Sequence, residues 1–321
     1  DTWVASTANG PGGSSRSAFS VALTDDKMSS CHGPFPDDSV ITYKRVFLNL
    51  GDSYDMQTGR FTAPRSGVYS LAVTMYGAVT AGKMATCTQL QVNNREVTTL
   101  LERNGQDTQD SASVVVALRL KAGDQVAVKL LKGCSVCDSN NHYNTFTGFL
   151  LYATDAQSPD RCVPSRVAFT VTLFKDVIFM CFGPFSQDSV IIYQNVVLNL
   201  GGGYSTDTGV FTVPRSGVYS IALTVFSDAG SPNRPLAVCA TLKVNGEPMF
   251  RASEQNRQDQ EDSATIAVAL HLTAGDQVAV YLPSGCFLCE FSSHFNTFSA
   301  FLSLWPDLHG CCQHESVKQK E

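Results

Sequence analysis

The sequence predicts an all-β protein that contains two tandem β-sandwiches. Three observations support this prediction: a composition typical of folded chains, a long internal repeat, and strand-like alternation within each copy. Hydrophobic residues make up 43% of the 321 residues and charged residues only 16%, against roughly 25% charged residues in ordinary soluble proteins. Intrinsic disorder needs the opposite balance, so most of the chain is expected to fold.

The internal repeat defines the domain organisation. Residues 61–70 (FTAPRSGVYS) recur 150 positions later as residues 211–220 (FTVPRSGVYS). Later matches are 152 positions apart, as when residues 122–128 (AGDQVAV) return as residues 274–280. A two-residue insertion near 231–235 explains the change. Two long copies indicate tandem globular domains rather than a solenoid.

Each copy shows the pattern of β-strands joined by turns. Residues 68–75 alternate between two faces, and residues 113–120 form a β-branched run that ends in the turn 121–124. No helical stripe of any length interrupts these runs. The predicted segments are a flexible N-terminus (1–15), domain 1 (16–154), a linker (155–164), domain 2 (165–306) and a cysteine-containing tail (307–321).

Charge and hydropathy restrict the partners. The net charge is −6 and no block of Lys or Arg occurs, so nucleic acid is not expected as a partner. No stretch approaches the roughly 18 consecutive apolar residues of a membrane span, so membrane insertion is not expected either. The sequence starts at Asp1, which fits a secreted protein whose signal peptide has been removed or omitted.

The eleven cysteines follow the repeat and favour an oxidising compartment. Eight occupy equivalent positions, four per domain: Cys31, Cys87, Cys134, Cys137, Cys181, Cys239, Cys286 and Cys289. Four per domain suits two internal disulfides, with three possible connectivities. Buried free thiols and a zinc site built on the two CxxC pairs are the alternatives. The remaining three, Cys162, Cys311 and Cys312, are candidates for assembly through bonds between chains.

No catalytic site is predicted. The motifs G-x-S-x-G and H-E-x-x-H and a Gly-rich phosphate loop are absent. A redox role for the CxxC pairs is disfavoured, because thioredoxin-like motifs lie at a strand–helix junction in a βαβ unit. We therefore interpret the chain as non-enzymatic.

The conserved order of the motifs within each copy resembles a known family. The matching blocks of copy one are residues 18–23, 43–49, 54–69, 123–126 and 145–152, and those of copy two are 168–171, 193–199, 201–219 and 297–302. In this order they resemble the globular C1q domain of the C1q/TNF superfamily. The blocks at 33–35 and 140–146 look most similar to collagen-free, cerebellin-like C1q-like proteins of fish. Ala300 departs from the family's usual Gly.

The resemblance implies two ten-stranded jelly rolls that normally assemble as trimers. Without a collagen-like Gly-x-y run, assembly would depend on the domain faces and the extra cysteines. We expect Phe61, Tyr69, Phe146 and Phe149 to be core aromatics.

The resemblance also suggests calcium as a cofactor. Some relatives bind calcium through two acidic residues eight positions apart, and here those positions hold Glu102 and Asp110 in copy one and Glu254 and Asp262 in copy two. Carboxylates are suitable ligands for calcium. The family's first Asp is replaced by Glu in both copies, and the alternative is a solvated acidic loop.

Two functions from different classes are compatible with the sequence. The first is a secreted, multimeric, lectin-like recognition protein that binds glycan or protein targets through its jelly-roll loops. Presenting several weak sites together makes such binding effective. The alternative is an extracellular matrix building block assembled through C1q-domain trimers and interchain disulfides.

Overall fold

The computed structural model describes residues 17–24, 26, 28, 30–78, 84–104, 109–139, 142–154, 166–175, 178–230, 237–254 and 261–304. Across these ranges the regular elements are β-strands, and no helix there is long and apolar enough to cross a membrane. Several predicted features lie outside the described residues: the terminal segments, the linker, the insertion near 231–235, and Cys162, Cys311 and Cys312.

The described residues of the first domain form thirteen strands. They are β1 (Ala18–Ala22), β2 (Ser30–His32), β3 (Ser39–Val40), β4 (Arg45–Leu50), β5 (Tyr54–Asp55), β6 (Arg60–Thr62), β7 (Gly67–Ala78), β8 (Met84–Val92), β9 (Arg95–Asn104), β10 (Gln109–Leu120), β11 (Gln125–Leu130), β12 (Val136–Asp138) and β13 (Thr145–Ala153). The number exceeds ten because segments of two or three residues count as separate strands.

The second domain repeats this arrangement, with twelve strands in the part that the structure describes. They are β14 (Ala168–Thr172), β15 (Phe179–Phe182), β16 (Ser189–Val190), β17 (Asn195–Leu200), β18 (Val210–Thr212), β19 (Gly217–Asp228), β20 (Val238–Val244), β21 (Glu247–Glu254), β22 (Glu261–Leu272), β23 (Gln277–Leu282), β24 (Leu288–Phe291) and β25 (Thr297–Leu304).

Each domain is a sandwich of antiparallel sheets. In domain 1 the sheet β10-β7-β13-β1-β4 lies opposite the sheet β5-β6-β11-β8-β9, while β2 and β12 form a small third sheet. Domain 2 has the equivalent sheets β17-β14-β25-β19-β22 and β16-β23-β20-β21, with the small sheet β15-β24. Except for the pairs β5–β6, β8–β9 and β20–β21, neighbouring strands are non-consecutive in the sequence, as in a jelly roll.

The long strand β7 shows how the sequence pattern produces the sandwich. Tyr69, Leu71, Val73 and Met75 are buried in the core, because successive strand residues point to opposite faces. At the tight β8–β9 turn the backbone needs positive φ angles, and asparagine tolerates them. Asn93 and Asn94 have φ angles of 51° and 62° there.

Aromatic rings fill the centre of each sandwich. Phe19 stacks on Phe61 with centroids 4.6 Å apart and meets Phe146 edge-on at 4.7 Å. The expectation of core positions is correct for Phe61, Tyr69 and Phe146, which are fully buried. It is wrong for Phe149, which is 40% exposed. Phe149 lies on the outer side of its sheet, because its strand β13 presents alternate residues to the core.

Four disulfides bond the eight repeat-related cysteines within their own domains. Each domain forms the same two bonds, so both domains have the same one of the three possible connectivities. The pairs are Cys31–Cys137, Cys87–Cys134, Cys181–Cys289 and Cys239–Cys286. In domain 1 the first bond joins β2 to β12, and the second joins β8 to the segment before β12.

The two domains pack against each other along an interface that we call the domain seam. The edge strand β10 of domain 1 lies across the outer face of the domain 2 sheet β17-β14-β25-β19-β22. Val68, Ala117, Ala168 and Phe301 form a small apolar cluster there, and all four are buried. The seam also includes Tyr152, whose hydroxyl donates hydrogen bonds to the carbonyl oxygens of Val167 and Leu302.

Candidate functional site at the disulfide-bonded end

One end of each jelly roll combines a disulfide with loops; we call it the disulfide-bonded end. In domain 1 it comprises the β2–β12 sheet, the end of β7 and the start of β10. The Cys137 Sγ atom lies 3.1 Å from the Ala78 carbonyl oxygen at the end of β7. In domain 2 the Cys289 Sγ atom lies 3.5 Å from the equivalent Asp228 carbonyl oxygen. Both domains therefore fix this end in the same way.

A buried carboxylate shapes the loop after each small sheet. Asp138 accepts hydrogen bonds from the backbone N–H groups of Tyr143 (2.9 Å) and Asn144 (3.2 Å). In domain 2 the Glu290 carboxylate accepts the equivalent bonds from Phe295 and Asn296. Burial raises the pKa of Glu290 to about 8, although its hydrogen bonds oppose the shift. Both loops are thus held by backbone hydrogen bonds to a buried carboxyl group.

Large apolar side chains are exposed at this end. Ile178 is 92% exposed and Met28, at the equivalent position of domain 1, is 82% exposed. Met180 and Tyr143 are each 46% exposed. The disulfide-bonded end of domain 2 is more apolar than that of domain 1 at this position, because Ser30 of domain 1 is the equivalent of Met180. Clustered exposed apolar groups on a rigid support are typical of binding surfaces.

An acidic cluster lies where the domain seam reaches the disulfide-bonded end. Ligand atoms of Glu102 on β9, Asp110 on β10 and Asp262 on β22 all lie within 4.8 Å of one another. Glu102 is fully buried, and its Oε1 atom accepts a hydrogen bond from the hydroxyl of Ser263. Its Oε2 atom is buried and has no hydrogen-bond partner among the described residues.

The three carboxyl groups of this cluster influence one another's ionisation. Burial, followed by the negative charges of Asp110 and Asp262, raises the pKa of Glu102 well above its ordinary value of 4.5. Three carboxylates at one point repel one another unless one is protonated or a cation neutralises them. Hard oxygen donors of this kind suit calcium, whose remaining ligands would come from water or backbone carbonyls.

The cluster differs from the two separate pairs that the sequence suggests. Glu102 and Asp110 do lie together, but the third carboxylate is Asp262 of the other domain. Glu254 ends β21, and its side chain lies outside the described residues. Sequence reasoning missed Ser263 and the joining of the domains, because no local pattern shows which surfaces meet.

Comparison with protein-family models identifies the domains. The model for the C1q domain matches residues 18–151 and again residues 168–303. The chain belongs to the C1q domain family. The predicted family and the fold of two all-β jelly rolls are therefore confirmed. Proteins of this family are generally extracellular recognition proteins, and C1q domains typically assemble as trimers.

Individual relatives match one domain at a time. Caprin-2 of Danio rerio is 35% identical over 141 residues, which is 43% of this chain and 14% of Caprin-2. Complement C1q tumor necrosis factor-related protein 3 of Mus musculus is 31% identical over 117 residues, covering 36% of this chain and 46% of that protein. The chain thus spans less than half the length of these relatives. The globular domain of zebrafish complement 1qA aligns over 43% of this chain and 99% of its own with 20% identity and a TM-score of 0.33.

Proposed function

We propose that this chain is a secreted, non-enzymatic recognition protein that binds an extracellular glycan or protein through its disulfide-bonded ends. The observation that carries the proposal is the exposed apolar surface on loops held by disulfides and buried carboxylates. A preformed surface loses little conformational entropy on binding, which suits recognition. Family membership supports the same class of function.

The domain seam makes the two binding ends parts of one unit. Because β10 is fixed across domain 2, the ends of β7 and β19 stay close together, and each chain presents two related surfaces at a set spacing. Two weak sites held in this way bind a repeating target more tightly than either site alone. A repetitive glycan or a clustered protein target fits this arrangement best.

We further propose that calcium binds the acidic cluster and stabilises the seam beside the binding ends. Glu102, Asp110 and Asp262 would hold the ion. Its charge would compensate the buried Glu102 carboxylate, whose Oε2 atom has no partner among the described residues. Calcium then supports recognition indirectly, by fixing how the two ends are oriented.

The test is a glycan and extracellular-protein array probed with the intact chain, with and without calcium. Binding that weakens at least about tenfold in M180S is expected, since central apolar contacts dominate binding energy. The matched control is M249S, because Met249 is 48% exposed but lies on β21, near the β20–β21 turn. No binding in either condition would contradict the proposal and favour the matrix alternative.

A further inference from the structure

Each domain contains one disulfide at its surface and one in its core. In the surface disulfide of domain 1, Cys31 is exposed and its partner Cys137 is completely buried. In that of domain 2, Cys181 is exposed and its partner Cys289 is completely buried. Both cysteines of the other bond in each domain, the core disulfide, are at most 3% exposed. A dissolved thiol can therefore reach one cysteine of each surface disulfide, and that cysteine occupies the equivalent position in both domains.

The exposed cysteine lies on the less anchored strand of a two-stranded sheet. In domain 1 all three residues of β12 are buried, and Val136 belongs to the hydrophobic core. Each residue of the paired strand β2 is exposed or only half-buried. A two-stranded sheet is marginally stable by itself, so β2 depends on the surface disulfide for its attachment to β12. Breaking this bond frees β2 and leaves β12 within the core.

The same difference between the two strands is found in domain 2. Three of the four residues of β24 are buried, whereas the first three residues of β15 are exposed. β15 has more support than β2, since its sheet contains four residue pairs rather than three. Phe179 also packs against Phe291 of β24, with ring centroids 4.7 Å apart. We therefore expect the small sheet of domain 1 to open more readily than that of domain 2.

The buried sulfur of each surface disulfide lies beside an acceptor for a thiol proton. The Cys137 Sγ atom lies 3.1 Å from the Ala78 carbonyl oxygen, and the Cys289 Sγ atom lies 3.5 Å from the Asp228 carbonyl oxygen. A disulfide sulfur carries no hydrogen, so neither contact is a hydrogen bond while the disulfide is closed. A thiol at the same place can donate its proton to the carbonyl oxygen. The fold thus accommodates the buried cysteine in its reduced form.

We propose that Cys31 and Cys181 are sites of covalent modification by thiols of low molecular mass. The thiolate of such a molecule attacks the Sγ atom of Cys31, forms a mixed disulfide with it and breaks the bond to Cys137. The Cys137 sulfur leaves with the electron pair as a thiolate and takes a proton from water. Cys181 and Cys289 react in the same way. One disulfide is exchanged for another, so the reaction needs no reagent besides the thiol.

This exchange differs from the chemistry of a redox-active CxxC pair. The two cysteines of the first CxxC motif belong to different bonds, since Cys134 pairs with Cys87 and Cys137 pairs with Cys31. The second motif is divided in the same way. The chain is therefore a substrate of thiol exchange rather than an oxidoreductase.

The modification releases a strand that carries part of the proposed binding surface. Met180 precedes Cys181 on β15, so opening the disulfide removes the rigid support of its side chain. Recognition is then weakened where thiols are abundant and is restored when the bond closes again. This consequence rests on the proposed function, whereas the exchange itself does not.

The experiment exposes the full chain to a graded series of ratios of reduced to oxidised glutathione. Three substitutions remove the cysteines outside the two domains: Cys162→Ser, Cys311→Ser and Cys312→Ser. Samples are quenched with acid and alkylated in denaturant, and peptide mass spectrometry then locates bound glutathione and free thiols. We expect glutathione on Cys31 and Cys181, free thiols at Cys137 and Cys289, and intact core disulfides. Half of the domain 1 bond should be open at a lower ratio than half of the domain 2 bond.

The position of the bound glutathione decides the proposal. Glutathione on Cys137 or Cys289 would overturn it, as would surface disulfides that open no earlier than the core disulfides, or the absence of an adduct at every ratio. F179A should open the domain 2 bond at a ratio about two- to tenfold lower, because it removes a ring contact that supports β15. M249A is the matched control, since Met249 is 48% exposed against 49% for Phe179 but lies on β21. An unchanged ratio in F179A would contradict the predicted difference between the domains.

A last measurement separates this proposal from the proposed function. A target found on the array should bind the chain modified at Cys181 at least about tenfold more weakly than the unmodified chain. Retained binding would overturn the control of recognition by thiols. An array without any target contradicts the proposed function, and the map of adducts then still decides whether the exchange takes place.

Discussion

At the scale of single residues, burial of carboxylates is the most informative feature of this molecule. Glu102 and Glu290 are both fully buried, yet their surroundings differ. Glu290 receives two backbone N–H bonds, whereas Glu102 faces two further carboxylates. The first arrangement shapes a loop, and in the second the repulsion between carboxylates is relieved by a proton or by a cation.

Calcium should stabilise the protein through Glu102. A ligand that binds the folded state at a concentration of about 100 Kd adds about 2.7 kcal/mol to the free energy of unfolding. Calorimetry should therefore show a calcium-dependent rise in Tm that is absent in E102Q. E96Q is the control, because Glu96 is exposed on the same strand and should respond like the wild type. An equal calcium response in E102Q and wild type would count against the site.

Glu290 should make the second domain less stable as the pH rises. Burial raises its pKa from 4.5 to about 8, so the stability that its protonated form contributes is complete below about pH 4.5 and is lost as the pH passes about 8. Between about pH 5 and pH 8 the free energy of unfolding should fall by more than about 1 kcal/mol from this group. Denaturant titrations should show a flatter profile for E290Q than for wild type. E247Q, at an exposed position, should follow the wild type.

At the scale of secondary-structure elements, the β-strands can be predicted from the sequence because each strand has its own alternation of core-facing and outward-facing residues. The alternation along β7 and the repeat identify the sandwich without any tertiary information. The alternation does not predict the burial of Phe149 and Phe301, which are phenylalanines at equivalent positions of the two domains. One is exposed and the other is buried, because only one of the two faces is covered. Local sequence contains no signal for that difference.

The two disulfides of domain 1 should protect different elements. Replacing Cys31 and Cys137 with alanine should open the β2–β12 sheet to protease while the sandwich stays folded, since this bond holds a peripheral sheet. Cys87 and Cys134 are both buried in the core. Their replacement should instead lower the free energy of unfolding of the whole domain by about 2 to 5 kcal/mol. Limited proteolysis with mass spectrometry and denaturant titration distinguish the two results. Identical cleavage maps for both variants would contradict this division.

At the scale of the whole molecule, the seam should make the two domains unfold together. The Tyr152 hydroxyl bonds two domain 2 carbonyls, at 2.5 Å to Leu302 and 3.2 Å to Val167. The Val167 carbonyl also accepts the Leu302 N–H and keeps that partner in Y152F, so the loss falls on the hydrogen bond to the Leu302 carbonyl, worth about 0.5 to 1.5 kcal/mol. Y152F should therefore split one calorimetric transition into two, whereas Y143F, at a half-exposed ring, should not. A single transition in Y152F would show that the hydroxyl does not hold the seam.

Only part of the acidic cluster can be predicted from the sequence. The family resemblance suggests Glu102 and Asp110 as a pair, and their carboxylate oxygens lie within 4.8 Å of each other. Asp262 joins them only because β10 and β22 meet across the seam. That meeting depends on hydroxyl side chains of domain 2, such as Thr170 and Ser299, which bond the backbone of β10 but look like ordinary polar surface positions in the sequence.

The seam has an arithmetical consequence for assembly. Every chain contributes its domains in pairs, so a closed ring in which all seams are intact contains an even number of domains. A ring of three domains, the usual number in this family, is odd. Such a ring therefore needs at least one chain that opens its own seam and contributes a single domain. The strength of the seam therefore decides the stoichiometry, and mutations at Tyr152 should change how many chains assemble as well as how firmly one chain is folded.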